Sequence, residues 1–141
     1  MGKRLVGYTI FQPDAHLIAL PDSHPRAKRI ENRRQYVSYR GPILIHAGKT
    51  RDWLLPEDIA DFPNMAFGAA VAHANLVDCV RLEKLPERLR DNEHAEGPFC
   101  LLLEDVIALP RPIPCRGYQG LWYAESVLEA AVLAQLAEVR A

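Results

Sequence analysis

The sequence predicts an α+β protein, a small β-barrel flanked by short helices, with an added helix at its C-terminal end. Three observations carry that prediction. Short runs rich in β-formers recur along the chain, each closed by Gly, Pro or Asn. The last stretch opens on Ser126-x-x-Glu129, a capping box, and continues in Ala- and Leu-rich sequence to Arg140. The composition of the 141 residues, 49% apolar and 25% charged, is that of an ordinary globular chain, long enough to bury a core without staples. The expected organisation is one domain over residues 1–141, with residues 124–141 as a helical extension.

The elements follow in order. Residues 5–11 hold Val6, Tyr8, Thr9 and Ile10 and read as the first strand. Gln12-Pro13-Asp14 opens a short helix to residue 20, with proline near the first turn, where its missing N–H is no loss. Residues 21–25 form a loop by composition. Residues 28–33 and 43–47 read as strands. A spacing of two places Glu31 and Arg33 on one face of the first of these, while Lys28 projects from the turn before it. Residues 56–62 form a short helix with acids in its first turn. Residues 66–82 make one bent strand or two successive ones, with Gly68 and Asn75 as candidate bends. Residues 86–91 form a polar helix or turn, residues 99–103 a buried strand, and residues 113–122 two short strands broken at Gly117 and Gly120.

Several classes of function are disfavoured. No apolar run approaches the length of a membrane span, and the first residues lack a signal-peptide core, so no membrane partner and a cytoplasmic location are expected. Cys79, Cys100 and Cys115 are odd in number, widely spaced and match no zinc pattern, so they read as reduced core thiols. His16, His24, His46, His73 and His94 show no ligand spacing, and no phosphate loop or dinucleotide fingerprint exists; no metal and no cofactor are expected. His46 ends an apolar strand and reads as a satisfied core or rim histidine. Trp53 and Trp122 read as barrel-closing core more than as base-stacking platforms. Ser126 reads as a cap and not as a nucleophile.

Charge is concentrated around one stretch. Between residues 26 and 40 six basic side chains (Arg26, Lys28, Arg29, Arg33, Arg34, Arg40) face one acid, Glu31, a local charge of +5 in a chain of −1 overall. Such a patch points to a phosphate-facing surface. Within it, Lys28, Glu31 and Arg33 allow three readings. The carboxylate, held ionised by its cations, accepts hydrogen bonds from a base edge such as a cytosine amino group. Alternatively Lys28, its pKa lowered by burial, works with Glu31 as an acid/base pair that cuts RNA. The third reading is a structural ion pair closing a barrel end. Arg40 and Lys49 read as phosphate contacts, and Arg26, Arg29 and Arg34 as phosphate contacts or solvated loop charges.

The ordered fragments Gln12-Pro13-x-Ala15, Lys28-x-x-Glu31-Asn32-Arg33, Tyr39-Arg40-Gly41-Pro42 and Ile45-His46-Ala47-Gly48-Lys49 resemble the ASCH domain. So do Phe67-Gly68-Ala69, Leu76-Val77-Asp78-Cys79, Glu96-Gly97-Pro98 and Gly117-x-x-Gly120-Leu121-Trp122. The resemblance runs to about Trp122. It implies a PUA-like barrel with a cleft between barrel and first helix, where family members are thought to bind RNA or other nucleic acid. Lys28, Glu31 and Arg33 match the cleft motif. Two tryptophans common in relatives are Asp14 and Gln35 here, with Tyr36 and Tyr39 as substitute stacking surfaces. The loop over residues 21–26 is longer than the usual glycine turn. One branch of small bacterial relatives hydrolyses N4-acetylcytidine with a threonine nucleophile; Glu31 stands at that position here.

The expectation is therefore an RNA-binding ASCH-type domain whose ligand, RNA or a modified nucleoside or nucleotide, is held by Gln12, Lys28, Glu31, Arg33, Tyr36, Tyr39, Arg40 and Lys49. The competing expectation is a small hydrolase acting on RNA or a modified nucleoside through Lys28 and Glu31. A homo-oligomer through the last helix is a further expectation. Because the family pattern ends before that helix, a chain stopped after Tyr123 is expected to fold.

Overall fold

The computed structural model describes residues 4–141. Its strands are β1 (Val6–Ile10), β2 (Ile30–Arg33), β3 (Gly41–Ala47), β4 (Ala69–Arg81), β5 (Phe99–Pro114) and β6 (Leu121–Tyr123). Helices α1 (Asp14–Ala19), α2 (Pro56–Asp61) and α3 (Ser126–Arg140) complete it, with two 3-10 turns at Leu82–Lys84 and Glu87–Leu89. The strands form one mixed sheet in the order β2-β5-β4-β3-β1-β6. Among the described residues only β1 and β3 run parallel; every other pair is antiparallel. The sheet curls into an open barrel. Arg33, at the end of β2, reaches the Thr9 carbonyl of β1 at 3.2 Å although β5, β4 and β3 separate those strands in the sheet.

The central strands are buried on both faces, which explains why β3 reads Ile43-Leu44-Ile45 instead of alternating with polar residues. Ile43 and Ile45 point into the barrel with Val6, Tyr8 and Ile10 of β1 and Ala15 and Ile18 of α1. Leu44 points the other way, into a second cluster with Ala70, Leu109, Leu128, Val132 and Leu136. A third, smaller cluster joins Ile30, Cys100 and Leu102 to Leu85 beyond the sheet edge. All three cysteines are free thiols, with Cys79 and Cys100 buried.

Three expectations change. The strand expected over residues 99–103 does not end there, and residues 113–122 do not hold two short strands of their own: β5 runs unbroken for 16 residues. Pro110, Pro112 and Pro114 hid it, since proline is excluded from central strands. They are tolerated because β2 pairs only with Phe99–Leu102, leaving the outer edge of β5 without a strand neighbour beyond that point. Asp105, with φ of 52°, lies in the bulge next to the Asn75–Glu104 pair, and the Asn75 side-chain amide donates to its carboxylate at 3.1 Å. That bulge and two further register shifts bend β4, which is one strand, with Asn75 at a shift and Gly68 just ahead of it.

The last helix also differs. Glu125, not Ser126, is the N-cap of α3, and no side chain caps the helix. Glu129 instead accepts the Leu5 backbone N–H at 2.8 Å, pinning the entry to β1. Leu128, Val132 and Leu136 are buried against β3, β4 and β5 residues, so the expected independence of folding from this helix does not fit its packing. Val127 is 80% exposed and takes no part.

Candidate functional site

A cleft of about 960 Å³ opens at one end of the barrel. Its walls are the turn from β1 into α1, the segment over residues 48–58, and the segment over residues 115–120. Each wall is set by close packing. Gln12 spans the first, accepting the His16 N–H at 2.8 Å and donating to the Ala66 carbonyl at 2.7 Å. Gly48 lets Phe11 lie flat on the backbone, since a Cβ there would come within 2.5 Å of its ring. Gly117 rests on His46 and Thr9 so closely that a Cβ would overlap both.

Beneath Gly117 the hydrogen bonds fix a tautomer. His46 Nε2 lies 2.9 Å from the Cys115 carbonyl, which can only accept, so Nε2 carries the proton. Nδ1 then accepts from the Thr9 hydroxyl at 3.2 Å, and that hydroxyl accepts from Trp122 Nε1, also at 3.2 Å. Burial pushes the His46 pKa below its usual value, keeping the ring neutral for this role. His46 is thus the satisfied histidine expected from sequence, and it anchors a cleft wall.

Glu31 lies at the floor. Its side chain is 8% exposed. Oε2 meets Arg33 Nη2 at 3.0 Å, and Oε1 lies 3.5 Å from Lys28 Nζ. The Lys28 ammonium, itself buried, is shared with Asp14 of α1, also at 3.5 Å. Lys28 lies just ahead of β2, and its backbone N–H is held by the Leu17 carbonyl at 3.0 Å, so α1 and the start of β2 deliver the ion pair together. Arg33 lies over the Tyr8 ring, 4.3 Å from its centroid, with Nη2 also donating to Thr9. Its Nε is buried without a partner among the described residues. Burial raises the Glu31 pKa above the usual carboxylate range, against the opposite pulls of Arg33 and Lys28. The sequence reading had the cations prevailing; the depth of the site reverses that balance. Tyr8, beside them, is pushed up to about 12 by the same burial.

The expected site residues divide into three groups. Gln12, Glu31, Arg33 and Lys49 line the cleft, with Lys28 directly behind Glu31. Gln12 is spent on structure, whereas Lys49 is exposed at the rim. Tyr36, Tyr39 and Arg40 lie elsewhere and line none of it. Arg40 donates to the Val37 and Tyr39 carbonyls and pairs with Asp78, Tyr36 sits edge-on to Phe99, and the Tyr39 hydroxyl donates to Pro42. Much of the basic patch is internally paired: Arg26 with Asp61 at 2.9 Å, Arg29 with Asp22 at 2.8 Å. The net local charge therefore overstated the free cations available to a ligand.

The rim holds residues the sequence reading missed. Phe11, Trp53 and Tyr118 are 47%, 66% and 46% exposed there, beside Arg116. Trp53 is exposed rim and not barrel-closing core. Gly117 and Gly120 were read as strand breaks and as part of a family-like fragment, not as a cleft wall, yet they bracket Tyr118 there; that spacing was the available signal. No cluster of metal-ligating side chains occurs among the described residues, and none of their helices is long and apolar enough to cross a membrane.

No family model matches the chain, and no curated protein sequence matches it. Solved structures do. A crystal structure of ASCH from Zymomonas mobilis superposes with a TM-score of 0.55 at 16% identity, covering 93% of this chain and 94% of that one. Two point variants of the same protein superpose with TM-scores of 0.55 and 0.54, at 16% and 15% identity, over 94% and 93% of this chain and 98% and 95% of theirs. At such identity the likeness is one of fold.

Proposed function

The chain has the ASCH fold, and on that premise we propose that it binds RNA, taking one unpaired base into the cleft over Glu31. The observation that carries this reading is a carboxyl group sunk at the floor of an open cleft, between two cations, beneath a rim of exposed aromatic rings. An ion pair that served only to close the barrel would need no such opening above it. In the proposed complex the Glu31 carboxylate accepts from an exocyclic amino group, and Arg33 donates to the neighbouring ring or carbonyl acceptor. Trp53 and Tyr118 offer faces for stacking, and Lys49 and Arg116 meet the flanking phosphates.

The test is fluorescence anisotropy with short single-stranded RNAs, using a fully paired hairpin as control. Glu31→Gln is expected to weaken binding about ten- to a hundred-fold, the equivalent of about 1.5–3 kcal/mol for a hydrogen bond to a charged group. Trp53→Ala is expected to lose about 1–3 kcal/mol of stacking. Equal affinity of wild type and both variants would remove the cleft from the binding surface.

One observation favours a second reading, a hydrolase acting on RNA or a modified nucleoside. A carboxyl group whose pKa is raised by burial, 3.5 Å from a buried lysine, has the makings of a proton-transfer pair. Against it, Glu31 is a poor nucleophile for an amide. Turnover of an RNA or an acylated nucleoside by the purified protein, lost by about 10²–10⁴-fold in Lys28→Met with binding retained, would establish this reading over simple binding.

A further inference from the structure

The cleft wall that carries Arg116 and Tyr118 is hydrogen-bonded at its two ends. At one end the Cys115 N–H donates to the Gly68 carbonyl at 3.1 Å, and the Cys115 carbonyl accepts from His46. At the other, Leu121 and Trp122 pair with Tyr8 and Gly7 of β1. Between these ends no hydrogen bond ties residues 116–120 to the rest of the described chain. Contact holds them instead, and each contact leads to one ring. Gly117 lies directly on His46. Arg116 stacks on Tyr118, Tyr118 meets Trp122 in a T, and Trp122 meets His46 in another, with centroids 5.7 Å apart.

His46 can serve as this seat in one protonation state. With the ring neutral every polar hydrogen has an acceptor: Nε2–H reaches Cys115, the Thr9 hydroxyl reaches Nδ1, and Trp122 Nε1–H reaches the hydroxyl oxygen. A proton on Nδ1 turns that nitrogen into a donor. The hydroxyl oxygen then receives from Nδ1 and Trp122 together, and its own hydrogen has no acceptor among the described residues. Gly117, packed against Thr9 Oγ1, leaves no room there for one to enter. No carboxylate pairs with His46 among the described residues. The charged and titratable groups around the ring are Lys49, whose ammonium opposes a second cation, the Cys115 thiol, which burial keeps neutral, and Arg116 in the wall. The relief open to a charged ring is displacement of the wall itself.

We propose that His46 is a positioning residue for the ligand: its neutral ring seats Arg116 and Tyr118 at the cleft, and its protonation unseats them and weakens RNA binding. This rests on the reading of the cleft as an RNA site and adds control of that site by acid.

NMR of the ligand-free full chain tests the coupling of ring to wall. At about pH 7.5 the His46 ring is expected to carry its proton on Nε2, and on acidification the amide signals of Gly117, Tyr118 and Gly120 are expected to shift with the midpoint of that ring. A ring that stays neutral until the chain unfolds, or wall amides that ignore its titration, would overturn the proposal. Fluorescence anisotropy with a short single-stranded RNA tests the effect on binding. Between about pH 7.5 and pH 5 the wild type is expected to lose at least about tenfold more affinity than His46→Gln. Glu31 is present in both, so the difference belongs to His46. His46→Gln keeps a donor for the Cys115 carbonyl and is expected to bind more tightly than His46→Leu, with circular dichroism showing both folded. Equal pH profiles in wild type and His46→Gln, or no advantage of His46→Gln over His46→Leu, would overturn the proposal. RNA that binds at no pH would strike the RNA reading and its control together, and a wall that still follows the ring in the NMR titration would then uphold the positioning alone.

Discussion

Glu31 and four histidines set the acid–base behaviour of this molecule, and they pull in opposite directions. Burial lowers the pKa of His16, His46, His73 and His94 from 6.5. In the unfolded chain these rings take up protons first as pH falls, so the unfolded state binds more protons below about 6.5 and stability drops there. Glu31 has the reverse sign. Its raised pKa means that the folded form holds a proton which the unfolded form has already lost, a contribution present below 4.5 and lost as pH rises through the folded value. Glu31→Gln removes the opposing contribution, and in that variant the melting temperature is expected to fall between about pH 7.5 and pH 5.5. Scanning fluorimetry in matched ionic strength measures it. A flat or rising profile would mean that the histidines are not held neutral as their packing demands. Replacing His46 by Gln should shrink the drop, because its ring is the one enclosed by Thr9, Trp122 and Gly117.

At the scale of elements, α3 offers the sharpest contrast between its buried and exposed faces. Leu136 is 2% exposed and packed in the second cluster, so Leu136→Ala is expected to cost about 2–5 kcal/mol. Val127→Ala, at 80% exposure, should stay within about 0.5 kcal/mol of wild type as a monomer. Urea denaturation of the two variants compares them directly; equal midpoints would show that the helix does not share the barrel's core. What the sequence disclosed follows the same local logic. Strands with a clean β-forming run, such as β1 and β3, were legible, and so was the meeting of Lys28, Glu31 and Arg33, because three residues within one turn and one strand need no long-range information. The second half of β5 was not legible, since its prolines are permitted only by the absence of a neighbour strand. Nor were Trp53 and Tyr118: they arrive at the rim from separate loops, where no periodicity marks direction.

For the molecule as a whole, the arrangement of charge limits the electrostatics of binding. With Arg26, Arg29 and Arg40 committed to acids and carbonyls, the exposed cations at the cleft reduce chiefly to Lys49 and Arg116. Two phosphate contacts correspond to a log–log salt slope of roughly −1.4 for a single strand, a shallow dependence. Lys49→Ala with Arg116→Ala is expected to flatten it, and Arg40→Ala to leave it unchanged. A slope several times steeper in the wild type would reveal a wider phosphate track than the cleft supplies. The three prolines of β5 bear on association in a different way. In an extended strand alternate residues direct their N–H groups to the same edge, so proline at positions 110, 112 and 114 strips donors from one edge alone. A strand arriving there from another chain would find carbonyls and no hydrogens to meet its own. Growth of the sheet from molecule to molecule, the route by which exposed edges seed fibres, is opposed along the last part of β5.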